Sequence, residues 1–304
     1  MTTRPGPAVW AALAVVYVVW GSIYLGIRVT INDFPALGSM ALRFVLAGLL
    51  MLGWVAWRSG WAALRMERRE LVNVAVLGVL LLGIGNGGNA YGQLVGVPSG
   101  TTALLIASVP MFVMGLAFLD GERPTPAAIA ALALGLIGLG VLVLGRSGSG
   151  GGLPAMGVVT ILLASLAWAY GSWIKPRLVV PVNHWVGTAH QMVAAGLFLL
   201  VLSVARRERW STAVGAPSAL ALAYLVVVGS IVGFTAYSWL LGKAPLGLIA
   251  THTFVNPVVA VALGTVFLDE PLSMPVLVGG SLIVVSVTVS IAEQLVRGRS
   301  AEPA

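Results

Sequence analysis

The polar side chains best placed for chemistry lie inside long apolar runs. Asn86, Asn89 and Gln93 fall at i, i+3 and i+7, a single helical stripe, while Gly83, Gly87, Tyr91 and Leu94 occupy a neighbouring face. The glycines suit close helix packing, which leaves the amides to line a cavity or to bond a neighbouring helix. His252 and Asn256 stand one turn apart, just ahead of Pro257, which removes a backbone donor. An imidazole, an amide and freed carbonyls together could meet a polar ligand; a histidine satisfied by a nearby carbonyl is the competing reading. Trp20 and Tyr24 are also one turn apart, and Trp168 and Tyr170 recur at the matching place later in the chain. Rings with polar tips bind apolar or cationic solutes by stacking and cation–π contact, although helix packing uses the same residues. Because unpaired polar groups are costly in lipid, such positions face protein or water. The expected solute contacts are Trp20, Tyr24, Asn86, Asn89, Trp168, Tyr237, His252 and Asn256.

Arg43 lies seven residues into an apolar run, about 10 Å along a helix axis. Inserting it costs up to about 3 kcal/mol at full depth, so it needs a partner, a wet cavity or an exit to the outer surface, and snorkelling is expected ahead of solute contact. Gln191 stands at the matching place in the second half, beside His190, and these three are candidate coupling or structural polar groups. Asp120, Glu122, Asp269 and Glu270 close apolar runs and mark interface turns. With no cysteine, no deep carboxylate and no persuasive Ser–His pair around Ser108 or Ser172, no catalytic residue, metal site or cofactor is expected. A channel or a scaffold remains compatible with composition and differs from a transporter in showing no saturable flux.

The elements that position these residues form a repeat. Gly83-x-x-x-Gly87-x-x-Ala90-Tyr91-x-x-Leu94 returns as Gly229-x-x-x-Gly233-x-x-Ala236-Tyr237-x-x-Leu240, and Gly115-x-x-Phe118-Leu119-Asp120 returns as Gly264-x-x-Phe267-Leu268-Asp269. Hydrophobic residues make up 59% of the 304 and charged residues 9%, a bilayer composition in which length converts into helix count. Breaks at Pro, Gly and charge clusters give helices over 8–28, 36–57, 71–94, 99–119, 126–145, 154–174, 185–205, 217–241, 245–268 and 273–295. The expected fold is an all-α integral membrane protein. Its ten transmembrane helices form two inverted five-helix repeats, 8–145 and 154–295, joined by a Gly/Ser-rich linker at 146–153. An odd number of spans in each half is what inverts them. The first apolar run continues past any cleavage-like triplet and reads as an uncleaved span. Scattered basic residues exclude a nucleic-acid patch and report orientation: with both termini cytoplasmic, eleven fall inside and five outside, against a local conflict at Arg206, Arg207 and Arg209. Fifteen arginines against two lysines hint at a bacterial source.

Further pieces carry a family resemblance. Trp20-Gly21-Ser22, Pro35 with Leu42-Arg43-Phe44 and Ala47-Gly48, Pro110 with Phe118-Leu119-Asp120-Gly121-Glu122, and Asn256-Pro257 with Phe267-Leu268-Asp269-Glu270-Pro271 together resemble the EamA-type branch of the drug/metabolite transporter superfamily. The resemblance covers about 8–292 and departs from symmetry where Gln191 stands in place of Arg43. It implies a multi-pass exporter of amino acids, other small metabolites or drugs in the bacterial inner membrane, with a small-molecule solute and membrane lipid as partners. It also implies a site lined by the first, third, fourth, sixth, eighth and ninth helices. Solute identity, coupling ion and oligomeric state stay open.

Overall fold

Runs of Val, Leu, Ala and Gly long enough to cross lipid leave a backbone little choice but to satisfy its N–H and C=O groups internally, and this chain does so with helices. The computed structural model describes residues 6–121, 125–145, 152–241, 243–244, 248–249 and 251–300, and among them there is no strand. Among the described residues, eight helices are long and apolar enough to cross a membrane. They are α1 (Pro7–Thr30), α2 (Ala36–Ser59), α3 (Arg68–Leu94), α4 (Ser99–Leu119), α5 (Pro126–Leu144), α6 (Ala155–Arg177), α7 (His184–Ala205) and α8 (Ala216–Tyr237). Two further helices follow, α9 (His252–Leu268) and α10 (Met274–Ser300). Of the expected linker, residues 146–151 lie outside the described residues, as do Arg4, Glu122 and Arg123.

Three features depart from a plain helix reading. α3 passes through a π-helical stretch at Gly78–Ile84, and α8 through another at Leu225–Val232. The repeat carries Gly83 onto Gly229, so the two stretches overlap at matching places. α9 starts at His252, after a turn at Thr251 whose N–H donates to the Leu248 carbonyl at 3.4 Å; the expected start at 245 lies outside the described residues, and 248–249 before the turn are helical. His252 therefore opens the helix instead of standing inside it.

The chain divides into two compact units that cut across the sequence halves, because α1, α6 and α8 each contribute to both. The first unit is Met1–Leu25, Gly96–Val158 and Gly233–Ala304. Its packing centres on α5 against α10, where Gly138 and Gly279 each lie so close to the other's carbonyl that a Cβ would sit 2.8 and 2.7 Å from it. The start of α4 is capped from a distance: the Glu270 carboxylate accepts from the N–H of Ser99 (2.6 Å) and Gly100 (3.0 Å).

The second unit is Gly26–Val95 and Val159–Val232. Here α2 packs on α7 through a reciprocal contact. A Cβ on Gly48 would lie 2.7 Å from Val193 and 2.8 Å from the Ala189 carbonyl, and one on Gly196 would lie 2.6 Å from Val45 and 2.9 Å from the Ala41 carbonyl. The offset that carries Arg43 onto Gln191 carries Ala41, Val45 and Gly48 onto Ala189, Val193 and Gly196, so each helix offers the other the same three positions. Glu208 caps α2 as Glu270 caps α4, accepting from the N–H of Leu37 (3.1 Å) and Gly38 (2.9 Å) and from the Ser203 hydroxyl (2.7 Å). Anionic groups at helix N-termini meet the orphan N–H groups and the positive end of the helix dipole.

Candidate functional site

In the first unit, three chain segments bring rings together. On α1 the spacing of Tyr17, Trp20 and Tyr24 puts all three on one face. On α8, Phe234 and Tyr237 are three apart, and His252 opens α9. The Trp20 indole lies 5.0 Å from the Tyr237 ring, 5.1 Å from the His252 ring and 5.5 Å from Phe234, centroid to centroid, and Tyr237 lies 5.7 Å from His252. The contacts of His252 with Trp20 and Tyr237 are edge-on, the arrangement favoured by the ring quadrupoles. Gly233 makes this possible: a Cβ there would lie 2.6 Å from the indole nitrogen of Trp20. Beside the cluster, Val9, Leu13, Val16, Leu240 and Ile249 form a buried apolar core that fixes α1 against the helical residues Gly233–Leu241, which carry α8 onward.

Polar groups edge the rings. Tyr17 and Thr251 share a hydrogen bond between their hydroxyls. The Nδ1 of His252 lies 2.8 Å from the Ile249 carbonyl. A carbonyl only accepts, so Nδ1 carries a proton and the neutral ring keeps Nε2 as an acceptor. With its nitrogen turned toward two carbonyls, the Asn256 amide donates to Tyr17 O at 3.3 Å and His252 O at 3.1 Å, which leaves its oxygen to accept. The reading of a histidine satisfied by a nearby carbonyl thus holds for Nδ1. Such a surface can stack on an aromatic or apolar group and accept hydrogen bonds from a donor beside it. Among the described residues no cluster of three His, Cys, Asp or Glu gathers to hold a metal.

The other expected contacts are placed differently. Tyr24 is half-buried on α1 in the same unit, outside the ring contacts just described. Asn86, Asn89 and Trp168 belong to the second unit. Asn89 is buried, and its side-chain oxygen accepts from the Gln93 amide at 2.8 Å, so part of the amide stripe bonds along its own helix. Asn86 is half-buried, and Trp168 closes over bare Gly85, where a Cβ would lie 2.9 Å from the indole. The glycine face of α3 packs on α7: Cβ atoms on Gly83 and Gly87 would lie 2.9 Å from Phe198 and 2.6 Å from Leu199.

Arg43 does not snorkel. It is 1% exposed, because Ser230 in the π-helical stretch of α8 accepts from its Nε at 3.0 Å and the Phe44 ring lies 4.8 Å from its guanidinium carbon. His190 spends Nδ1 on the Val186 carbonyl one turn back, at 2.8 Å, and the Gln191 backbone lies against Gly78. Sequence reasoning missed Tyr17, Phe234, Thr251 and Ser230. A 17/20/24 stripe was there to be read, whereas pairing Phe234 with Trp20 needs tertiary structure.

Comparisons with known proteins agree along most of the chain. The model of the EamA-like transporter family matches twice, at residues 7–144 and 155–292. The "Uncharacterized inner membrane transporter YedA" of Escherichia coli (strain K12) is 35% identical over 264 residues, covering 87% of this chain and 84% of that protein. The "Probable terminal-alkyne amino-acid exporter" of Streptantibioticus cattleyicolor is 30% identical over 301 residues, covering 97% of this chain and 96% of its own. The "Probable amino-acid metabolite efflux pump" of Escherichia coli (strain K12) is 25% identical over 285 residues. A crystal structure at 21% identity superposes with a TM-score of 0.64 over 97% of this chain and 99% of its own, which is a likeness of fold.

Proposed function

The chain belongs to the EamA-like transporter family, and from that premise we propose that it exports small metabolites, amino acids or related solutes, across the bacterial inner membrane by alternating access. In this reading ten spans form two inverted five-helix repeats, 8–145 and 154–295, with both termini cytoplasmic. The reciprocal contact of α2 with α7 supports a twofold relation between the halves, since a twofold interface makes residue i meet j and j meet i. The double family match supports the repeat itself. Relatives named as an amino-acid exporter and an amino-acid metabolite efflux pump support the direction of transport and the solute class.

The observation that carries the reading is the ring cluster of Trp20, Phe234, Tyr237 and His252, edged by Asn256. We assign it the aromatic or apolar part of the solute, with Tyr24, Asn86, Asn89 and Trp168 as further contacts. Stacked rings also suit a cationic or aromatic drug, so multidrug export is the second reading. Reconstituted into sealed vesicles preloaded with a mixture of unlabelled amino acids, the protein should catalyse saturable counterflow of labelled aromatic or aliphatic amino acids, and Trp20→Ala should weaken it. Conductance without saturation would make it a channel. Turnover of a solute without flux would make it a membrane enzyme.

A further inference from the structure

Arg43 is a buried cation that the ring cluster leaves without a task. Its own unit holds four carboxylates, each engaged elsewhere: Asp33 accepts from the Gly215 N–H, Glu208 caps α2, and Glu67 and Glu70 form a capping box at the start of α3. The guanidinium has instead the Ser230 hydroxyl on Nε at 3.0 Å, the Met40 sulfur 3.9 Å from one terminal nitrogen, the Phe44 ring at 4.8 Å and the neutral Tyr224 phenol within electrostatic reach. None of these neighbours carries negative charge. Membrane-buried arginines ordinarily pair with an anion or line a wet cavity, because an uncompensated charge away from water is strongly disfavoured.

We propose that Arg43 is the seat of a carboxylate on the transported solute. Ser230 would hold Nε, so that the planar fork of the terminal nitrogens is oriented before the ligand arrives, and bidentate pairing with a planar carboxylate is what that fork fits best. A thioether is a weak acceptor, which a carboxylate oxygen displaces at little loss. At 1% exposure the seat is closed in this conformation. The backbone beside it is the π-helical stretch Leu225–Val232, where the Ser230 hydroxyl donates to Leu225 O at 2.9 Å and Leu225 packs on bare Gly26. Such stretches interrupt the regular ladder and recur at functional sites, and a shift of this one would uncover the fork. Gln191 at the matching place carries no charge, so the repeat does not duplicate the seat. The proposal leans on the transport reading only for the source of the carboxylate.

The test is thermal unfolding of the detergent-purified full chain with acetate, benzoate, glycine and L-phenylalanine, each against its own amide, and with inorganic phosphate. At least one carboxylate should raise the unfolding midpoint with an apparent affinity roughly tenfold above its amide. Arg43→Gln should erase that preference, and Ser230→Ala, which keeps the charge, should reduce it. If Arg43→Gln does not fold, Arg43→Lys, which keeps the charge and loses the fork, should lower the preference in its place. No carboxylate preference in the wild type, or a preference surviving in Arg43→Gln, overturns the proposal; so does stabilisation by phosphate alone, which would assign the seat to a lipid headgroup. Counterflow separates the two readings: flux without carboxylate preference sinks the seat alone, and carboxylate preference without flux sinks the transport reading alone.

Discussion

Replacing Gly233 by alanine adds one methyl group under the Trp20 indole. The new Cβ would start 2.6 Å from the indole nitrogen, 3.0 Å from Cδ1 and 3.3 Å from Val19 Cγ1. Ordinary contact begins at 3.4 Å, so the indole must retreat by about 0.8 Å, the difference between 3.4 and 2.6. It cannot retreat freely, because Trp20 is packed at 5.0–5.5 Å centroid distances against three other rings. Aromatic pairs contribute about 0.5–1.5 kcal/mol each beyond area burial. Partial loss of three such contacts, together with a misplaced ring for the solute, corresponds to about 1–2 kcal/mol, or roughly 5- to 30-fold in apparent solute affinity.

Gly53 supplies the control, since a Cβ there meets nothing within 4 Å. Gly53→Ala should leave affinity unchanged and gain up to about 1 kcal/mol of stability by restricting the unfolded chain. The assay is half-saturating solute concentration in vesicle counterflow for the wild type and both variants, with denaturant unfolding in parallel. Equal half-saturation in the wild type and Gly233→Ala would refute the reasoning, because it would mean that the position of Trp20 does not matter to the solute.

Gly48→Ala, whose Cβ would press on the backbone of α7, should lose about 1–3 kcal/mol of stability to overpacking in denaturant titrations, and combining it with Gly196→Ala should be non-additive because the two share one interface. Glu208→Ala should cost about 1–2 kcal/mol by freeing the α2 N-terminus; an unchanged midpoint would show that water replaces the cap at no loss. Fusion reporters after Arg69, Arg207 and Glu293 should read inside, outside and inside, and an intracellular signal after Arg207 would contradict inverted repeats. An imposed pH gradient should fail to drive solute accumulation in vesicles; if it does drive it, His252→Gln with His190→Gln should abolish the coupling, and coupling that persists would place the proton path elsewhere.

The helical architecture was legible because one physical rule, backbone satisfaction in lipid, converts apolar run length into helices almost residue by residue. The short connection at 95–98 and the bare glycines of α3 against α7 follow from the same reading. His252 shows where it fails. Hydropathy continues from 245 into α9, but Thr251 turns the chain, and a turn satisfied by a 3.4 Å bond to Leu248 O leaves no trace in hydropathy. The stripe at Asn86, Asn89 and Gln93 has the right period for a cavity lining, yet periodicity does not say whether Gln93 reaches for a ligand or for the residue one turn back. It reaches for Asn89.

The π-helical stretches were illegible for a related reason: apart from Ser230 they consist of Gly, Val, Leu and Ile like the helices around them. Their effect is nonetheless local and chemical. One extra residue in a helical turn rotates everything beyond it, so the face presented before Leu225 is not the face presented after Val232. In α8 that change of phase separates two tasks. Ser230, within the stretch, meets Arg43; Gly233, Phe234 and Tyr237, just after it, meet Trp20. A regular helix would carry Ser230, Gly233, Phe234 and Tyr237 along one stripe. Ser230 and Gly233, near neighbours in the chain, thus serve a buried cation and an aromatic cluster, and the stretch overlaps the segment whose spacing the repeat holds fixed from Gly229 to Leu240.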